Sequence, residues 1–543
     1  MLFKVWGSAL MIGAVLLSAG DVAAQKDKAV IKQLKADIEY LSSDELEGRR
    51  VGSAGEVKAA DYLEKRYKAM GIPAYKGQYR HAFPYIDGKE IQDATRIKLG
   101  NNVMRVKEDA FPLAFSGNKK AYSEILPDVL EQGNIWMISI YKDSAEAMDA
   151  HFDWEKYAFE RAREAQKQGA TGVLFYDSYN AKYPAEYNRK SDYETLEIPV
   201  AFLTYKAYNE RIAELRNGMP VELNVSLKKS ELTGHNVVAY LDNGAKYTVV
   251  LGAHYDHLGY GHDGNSLDAK KSHQVHNGAD DNASGTAALM QLAEWVKKGK
   301  LKHYNYIFIS FSGEEEGLIG SKAFVKQMNL DSNTISYMLN MDMVGRLNDS
   351  THALTIGGIG TSPSWAAFTK NNKFKIAVDS AGAGPSDHTS FYNAGIPVLF
   401  FFTGLHTDYH KPTDDADKIN YAGEAQVMRY IYSVVEKMDA QPKPKYLTTK
   451  QQAVGKVRFK VTLGIMPDYS YQEGGVKVDG VTENKPAIKA GVKAGDIIVQ
   501  LGSVKINGMQ TYMEALGALK EGDKTELTVL RNGKEVKLLV EMK

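Results

Sequence analysis

The chain has 543 residues, 44% of them hydrophobic and 25% charged, which suits about three or four globular domains rather than one. Its 67 basic residues balance 67 acidic ones, so no charge excess directs it to nucleic acid or an anionic membrane. It contains no cysteine, which excludes disulfides, zinc–thiolate sites and thiol nucleophiles together.

Residues 1–24 read as a signal peptide. Lys4 precedes the apolar run Ser8–Ser18, and Val22, Ala23 and Ala24 offer the small residues of a cleavage site. The run is too short for a stable transmembrane anchor. The expected mature chain is exported, periplasmic or extracellular, and carries no integral membrane segment; an uncleaved N-terminal anchor is the alternative. With no cysteine after the run, acylation as a lipoprotein is excluded.

Residues 25–104 carry two helical patterns. Ile38 and Leu41, then Ala59, Tyr62, Leu63, Tyr67 and Met70, recur at helical spacing, and Gly71 with Pro73 marks a stop. Between them LSSDELEGRRVGSAGE reads as a surface loop, either a solvated connector or the lining of a site. Residues 105–232 change texture: IWMISIY, GVLFY and IPVAFLT are strand-like, YAFERAREAQKQGA is helical, and no ligand-like cluster appears. That segment is expected to be a β-rich inserted domain.

Residues 233–440 alternate strand and helix. VVAYL, YTVVLGA, YNYIFISFS, ISYMLNMD and IPVLFFF are apolar runs of the kind buried on both faces of a mostly parallel sheet. The helix after Asn282 carries Leu289, Leu292, Ala293 and Val296 on one face. The fold class expected is α/β, a mostly parallel mixed sheet flanked by helices. Residues 441–454, with Pro442 and Pro444 among charges, read as a linker. Residues 455–543 form a small β/α unit in which Asn532-Gly533 signals a hairpin and a helix spans roughly Thr511–Leu519.

Residues of metal-ligand type gather where the core strands end. His254 and Asp256 follow VVLGA, and Asp280 and Asp281 occupy a turn entering a helix. Glu314, Glu315 and Glu316 follow FISFSG, Asp342 ends YMLNMD, and His410 follows IPVLFFF. Ligands of open α/β sheets bind outside strand carboxyl ends, so these nonlocal residues can converge, and their O and N donors suit a hard or borderline divalent cation. Singly, each has a blander reading, since an Asp-Asp-Asn turn is commonly a helix cap. His257, His262, His273 and His276 lie in a polar loop and read as surface or rim groups. Asp387 and His388 read as support for the site or, equally, as a packed loop pair.

HYDH, GADDNASG, SGEEEGLIGS, NMDMVG and YHKPTDD stand in the order and spacing of the di-zinc aminopeptidase family, which the chain resembles over about Asp37–Lys68 and Gly234–Lys437. The resemblance implies a zinc-exopeptidase core and two Zn²⁺ per chain; the donor set alone would also accept Co²⁺ or Mn²⁺. By position, Asp281 would bridge the two ions, with His254 and Asp342 on one and Glu315 and His410 on the other. Asp256 would orient His254, Asp280 would be no ligand, and the Asp281–Asn282 bond would be cis. Glu314 would be the base acting on a metal-bridging water, and Tyr409 would donate to the oxyanion. Glu314 with Asp342 would hold the substrate's α-amine. The implied function is an exported metallo-aminopeptidase that hydrolyses N-terminal residues from peptides or proteins. Carboxypeptidase or dipeptidase specificity, or a non-catalytic peptide-binding receptor, are the alternatives on the same fold.

The insert resembles a protease-associated domain in QKQGATGVLFYD and IPVAFLTYKAY. The C-terminal unit resembles a bacterial-type PDZ domain in LGIMP and KPAIKAGVKAGDIIVQLGSVKING. There the backbone N–H groups of Leu463, Gly464 and Ile465 would capture a peptide C-terminus, or the unit would dock on its own catalytic domain.

Overall fold

The computed structural model describes residues 19–449 and 461–542, apart from 126–128, 150–151, 192, 216, 269–273, 300, 331, 468–470, 472–473 and 482–484. Most of the expected signal segment and the end of the linker lie outside the described residues, as does His273. The chain divides into two compact units, Met1–His81 with His235–Gln452 and Ala82–Gly234 with Ala453–Lys543. No helix among the described residues is long and apolar enough to cross a membrane.

One sheet has eight strands. Its order is Arg80–Ile91, Leu227–Leu241, Asn305–Phe311, Thr248–His254, Ile335–Met341, Val398–Phe402, Ala353–Gly357 and Lys375–Val378. The four central strands run parallel, with antiparallel neighbours on either side. Their apolar runs are buried on both faces, and the residues alternate between two cores. Val249, Leu251, Phe308, Leu339 and Leu399 meet one core, which includes the helices Ala19–Leu41, Ala54–Ala69, Gly285–Lys298 and Tyr421–Asp439. Val250, Ile307, Ile309, Met338 and Val398 meet the other, under Ile319–Met328 and His388–Asn393. Each such side chain contributes about 1.5–3 kcal/mol by its burial. At Gly252 the strand passes so close to its neighbours that a Cβ would fall 2.6 Å from the Phe311 ring.

Local signals set the helix ends. Ser53 caps Ala54–Ala69 by accepting from Glu56 N at 3.2 Å, and Glu56 reaches back to Gly52 N at 2.9 Å. That helix stops at Gly71, whose φ of 65° is left-handed. The helix after Asn282 buries Leu289, Leu292, Ala293 and Val296 as expected. The loop before Ser53 is not a solvated connector: Leu46, Gly48 and Arg49 are buried.

The second unit holds the insert and the C-terminal domain. The insert has two four-stranded sheets. One pairs Asn102–Val103, Arg96–Leu99, Met219–Asn224 and Lys120–Ile125; the other pairs Ala110–Pro112, Val200–Leu203, Gly172–Tyr176 and Ile135–Ser139. Arg96–Leu99 pairs with Met219–Asn224, which ties residues before 105 to the second unit. In the C-terminal domain Ile465–Pro467, Val476–Val481, Ile497–Leu501, Lys524–Arg531 and Lys534–Glu541 form a sheet in that order. The hairpin turns at Asn532 and Gly533, both with positive φ, between the paired Arg531 and Lys534. Its helix is Met509–Gly517.

Candidate metal centre

Parallel strands bring the candidate ligands to one end of the sheet. Thr248–His254 ends on His254 in register with Phe311, and Ser312 and Gly313 then lead to Glu314 and Glu315. Ile335–Met341 leads directly to Asp342, and the segment after Val398–Phe402 carries Tyr409 and His410. The Ala279–Ser284 turn delivers Asp281 over the start of helix Gly285–Lys298. Its Asp281–Asn282 peptide bond is cis.

The carboxylate of Asp281 faces two histidines with different oxygens. Oδ1 lies 3.3 Å from His254 Nε2 and Oδ2 lies 3.3 Å from His410 Nε2. Asp342 Oδ1 stands 3.4 Å from His254 Nε2, and Glu315 Oε2 stands 3.2 Å from His410 Nε2. These separations exceed the roughly 2.7–2.9 Å of a charge-assisted hydrogen bond. They match the edge, about 3.3 Å, of a tetrahedron whose centre-to-ligand bonds are about 2.0–2.1 Å. The donor atoms therefore stand at ligand-like spacing, with the Asp281 carboxylate facing both histidines.

His257, Asp281 and Glu315 also form a close group that could hold a metal. His257 Nδ1, however, is 2.7 Å from Glu315 Oε1, a direct hydrogen bond rather than a shared-ligand spacing. His410 fits the second position better than His257 does. His257 is 1% exposed and His276 is buried as well, which corrects their reading as surface or rim groups. Neither carries a local signal, because loop residues have no periodicity from which burial can be read. His262 is exposed, as expected.

Backbone and buried polar groups fix the cluster. His254 Nδ1 lies 3.1 Å from the Asp256 carbonyl and 3.7 Å from Asp256 Oδ1, which accepts from Glu314 N at 3.2 Å. His410 Nδ1 lies 2.9 Å from the Asn265 carbonyl. Asp414 Oδ2 accepts from the backbone N–H of both Asp280 and Asp281, at 2.9 and 3.1 Å. Asn282 Nδ2 donates to Met341 O at 3.0 Å, tying the turn to the strand that presents Asp342. Asp280 points away: its Oδ1 accepts from Ser284 Oγ and Gly345 N. Asp387 and His388 are both buried, and the His388 ring stacks on Phe400 with centroids 4.7 Å apart.

The charges of the cluster call for cations. Burial raises the Asp281 carboxyl, but His254 and His410 outweigh it and hold that carboxyl well below its usual range. Glu315 is likewise held down to about 2, burial being outweighed by His410. His410 is pushed up to about 11, and His254 is also raised, because the surrounding carboxylates overcome the burial that would lower them. Glu314 differs: burial, and then the charges of Asp342 and Glu315 against that of His254, leaves its carboxyl well above the usual range. The Tyr409 ring stacks on His410 at 3.8 Å, and burial raises its phenol.

Residues 236–435 match the model of peptidase family M28, and residues 461–542 match that of the PDZ domain. Aminopeptidase YwaD of Bacillus subtilis (strain 168) is 25% identical over 327 residues, 54% of this chain and 63% of the relative. Leupeptin-inactivating enzyme 1 of Streptomyces exfoliatus is 32% identical over 196 residues, 35% of this chain and 40% of the relative. The chain thus spans less than two thirds of the length of these curated relatives. Among solved structures, BSAP, a zinc aminopeptidase from Bacillus subtilis, aligns at 19% identity with a TM-score of 0.46, covering 78% of this chain and 96% of its own. The fold and the cluster define an α/β protein with a candidate metal centre. Over residues 236–435 the chain is thus similar to peptidase family M28, and over residues 461–542 to the PDZ domain.

Proposed function

We propose that the chain is a di-zinc metallo-aminopeptidase that removes N-terminal residues from peptides or proteins. The observation that carries this reading is the Asp281 carboxylate, whose two oxygens each stand 3.3 Å from a different histidine. In this reading His254, Asp281 and Asp342 hold one zinc, and Asp281, Glu315 and His410 hold the other. Two such ions polarise a scissile carbonyl and make a water molecule acidic enough to deliver hydroxide near neutral pH.

Glu314 supplies the proton traffic. Its Oε2 is 4.0 Å from His254 Nε2, beyond the spacing of the candidate ligands, so its carboxylate is left for the attacking water. Burial raises its proton affinity, which suits a group that takes a proton from water and passes it to the leaving amine. Its charge, with that of Asp342, suits a substrate's α-ammonium group. Tyr409, packed on His410, is placed in this reading as the donor to the oxyanion. In the PDZ domain, Ile465–Pro467 is the edge strand of its sheet, which suits strand addition by a peptide C-terminus at Leu463, Gly464 and Ile465. Gly464 N already donates to Thr462 Oγ1 at 3.0 Å, so capture there requires that bond to open.

The test pairs zinc analysis with peptides blocked at one end. An aminopeptidase cleaves the C-terminally amidated peptide and ignores the N-acetylated one. The reverse pattern would assign carboxypeptidase specificity, and absence of turnover with zinc bound would assign a receptor.

A further inference from the structure

One buried side chain touches a candidate ligand without a part in the chemistry above. The His257 ring is enclosed on several sides. Its backbone N–H donates to Arg49 O at 3.3 Å. A Cβ placed on Gly278, whose φ is 56°, would fall 2.5 Å from the ring, so the absence of a side chain there makes room for it. The His410 ring meets it edge-on with centroids 5.8 Å apart. Its Nδ1 lies 2.7 Å from Glu315 Oε1, whereas Glu315 Oε2 faces His410.

An ionised carboxylate only accepts hydrogen bonds, so His257 Nδ1 is the donor in this contact. A carboxylate has two near-equivalent oxygens and can turn to present either, or both, to a metal. A donor fixed on one oxygen removes that freedom. We propose that His257 is a positioning residue whose Nδ1–H occupies Glu315 Oε1 and thereby fixes Oε2 as the oxygen given, with His410 and Asp281, to the second zinc. The inference rests on the two-zinc reading above. It adds a residue that local sequence alone places on the surface, and it makes the two metal positions unequal. His254 is held by a backbone carbonyl, whereas Glu315 depends on a side chain that can be replaced. Outer partners of this kind typically govern about 10–100-fold in metal affinity.

The experiment measures stepwise zinc affinity by chelator competition on the full chain, for wild type, H257L and H257N, with thermal unfolding of each metal-free protein. The asparagine amide restores an N–H near the place of Nδ1; leucine does not. Wild type should bind two zinc ions. H257L should lose about 10–100-fold at one step only, H257N should recover most of that loss, and the metal-free proteins should unfold together. Should H257L not fold, H257Q takes its place, since its amide reaches toward the position of Nε2 instead. Equal affinities in H257L and wild type, equal losses at both steps, or an H257N no better than H257L would overturn the inference while leaving the two-zinc reading intact. A wild type that binds fewer than two zinc ions would overturn that reading and this inference with it.

Discussion

Arg49 Nη2 donates to the carbonyl of Gly278 at 2.9 Å across 229 residues of chain. Its Nε donates to Tyr255 O at 2.7 Å, and Nη1 reaches Asn277 O, also at 2.7 Å, and Leu41 O. One buried cation thus joins the N-terminal loop to the segment of His254 and to the turn of Asp281. Burial pulls its guanidinium down to about 10 against the opposing charges of Asp256 and Asp281. All four acceptors are backbone carbonyls, and a buried carbonyl left without a donor costs about 1–3 kcal/mol. R49M should therefore lose about 3 kcal/mol or more in a urea titration and bind zinc more weakly. R49K should lose nearly as much, because one ammonium cannot span the fork. Stability of R49M equal to wild type would refute this role.

Glu314 tests the chemistry apart from the metal site. E314Q keeps the shape and the backbone bond to Asp256 but cannot take a proton. It should lower kcat by about 10²–10⁴-fold with zinc content unchanged. Activity at the wild-type level would remove Glu314 from the mechanism.

Zinc removal should act on stability as well as on turnover. Without divalent cations the carboxylates of Asp281 and Glu315 crowd together, with His254, His410 and the more distant Arg49 as opposing charges among the groups that shift them. Chelation should abolish hydrolysis and lower the unfolding temperature, and added zinc should reverse both. Zinc held at 100 times its Kd stabilises by about 2.7 kcal/mol. A melting curve that does not move with chelator would contradict a preformed metal centre.

Glu424, on helix Tyr421–Asp439, gives a pH dependence away from the metal centre. It is fully buried, and neither carboxyl oxygen has a hydrogen-bond partner among the described residues. Burial, then the charges of Asp280 and Asp37, raises its carboxyl well above the usual range. Below an ordinary pKa of about 4.3 the group is neutral in both the folded and the unfolded chain and contributes nothing. Above it the unfolded chain loses a proton that the folded chain keeps, so stability falls by up to about 1.4 kcal/mol per pH unit until the folded group also ionises. E424Q should thus be more stable than wild type at pH 8, with the gap closing toward pH 4, as followed by thermal unfolding. A gap that is constant with pH would show that Glu424 is not held neutral.

The sequence alone carried the sheet and the five candidate ligands. VVLGAH, FISFSGEE, YMLNMD and the segment after IPVLFFF are apolar runs that end in acidic or imidazole groups, and a buried parallel strand leaves no other place for such groups than its exit. What surrounds those residues was decided only in three dimensions. Arg49 read as part of a surface loop and His257 as a rim histidine. A loop has no repeat that says which side chains turn inward. Its burial depends on a second loop far along the chain, as Gly278 makes room for His257 and its carbonyl accepts from Arg49. Strand order brings the ligands to one end of the sheet; the packing of loop on loop decides which oxygen of Glu315 faces His410.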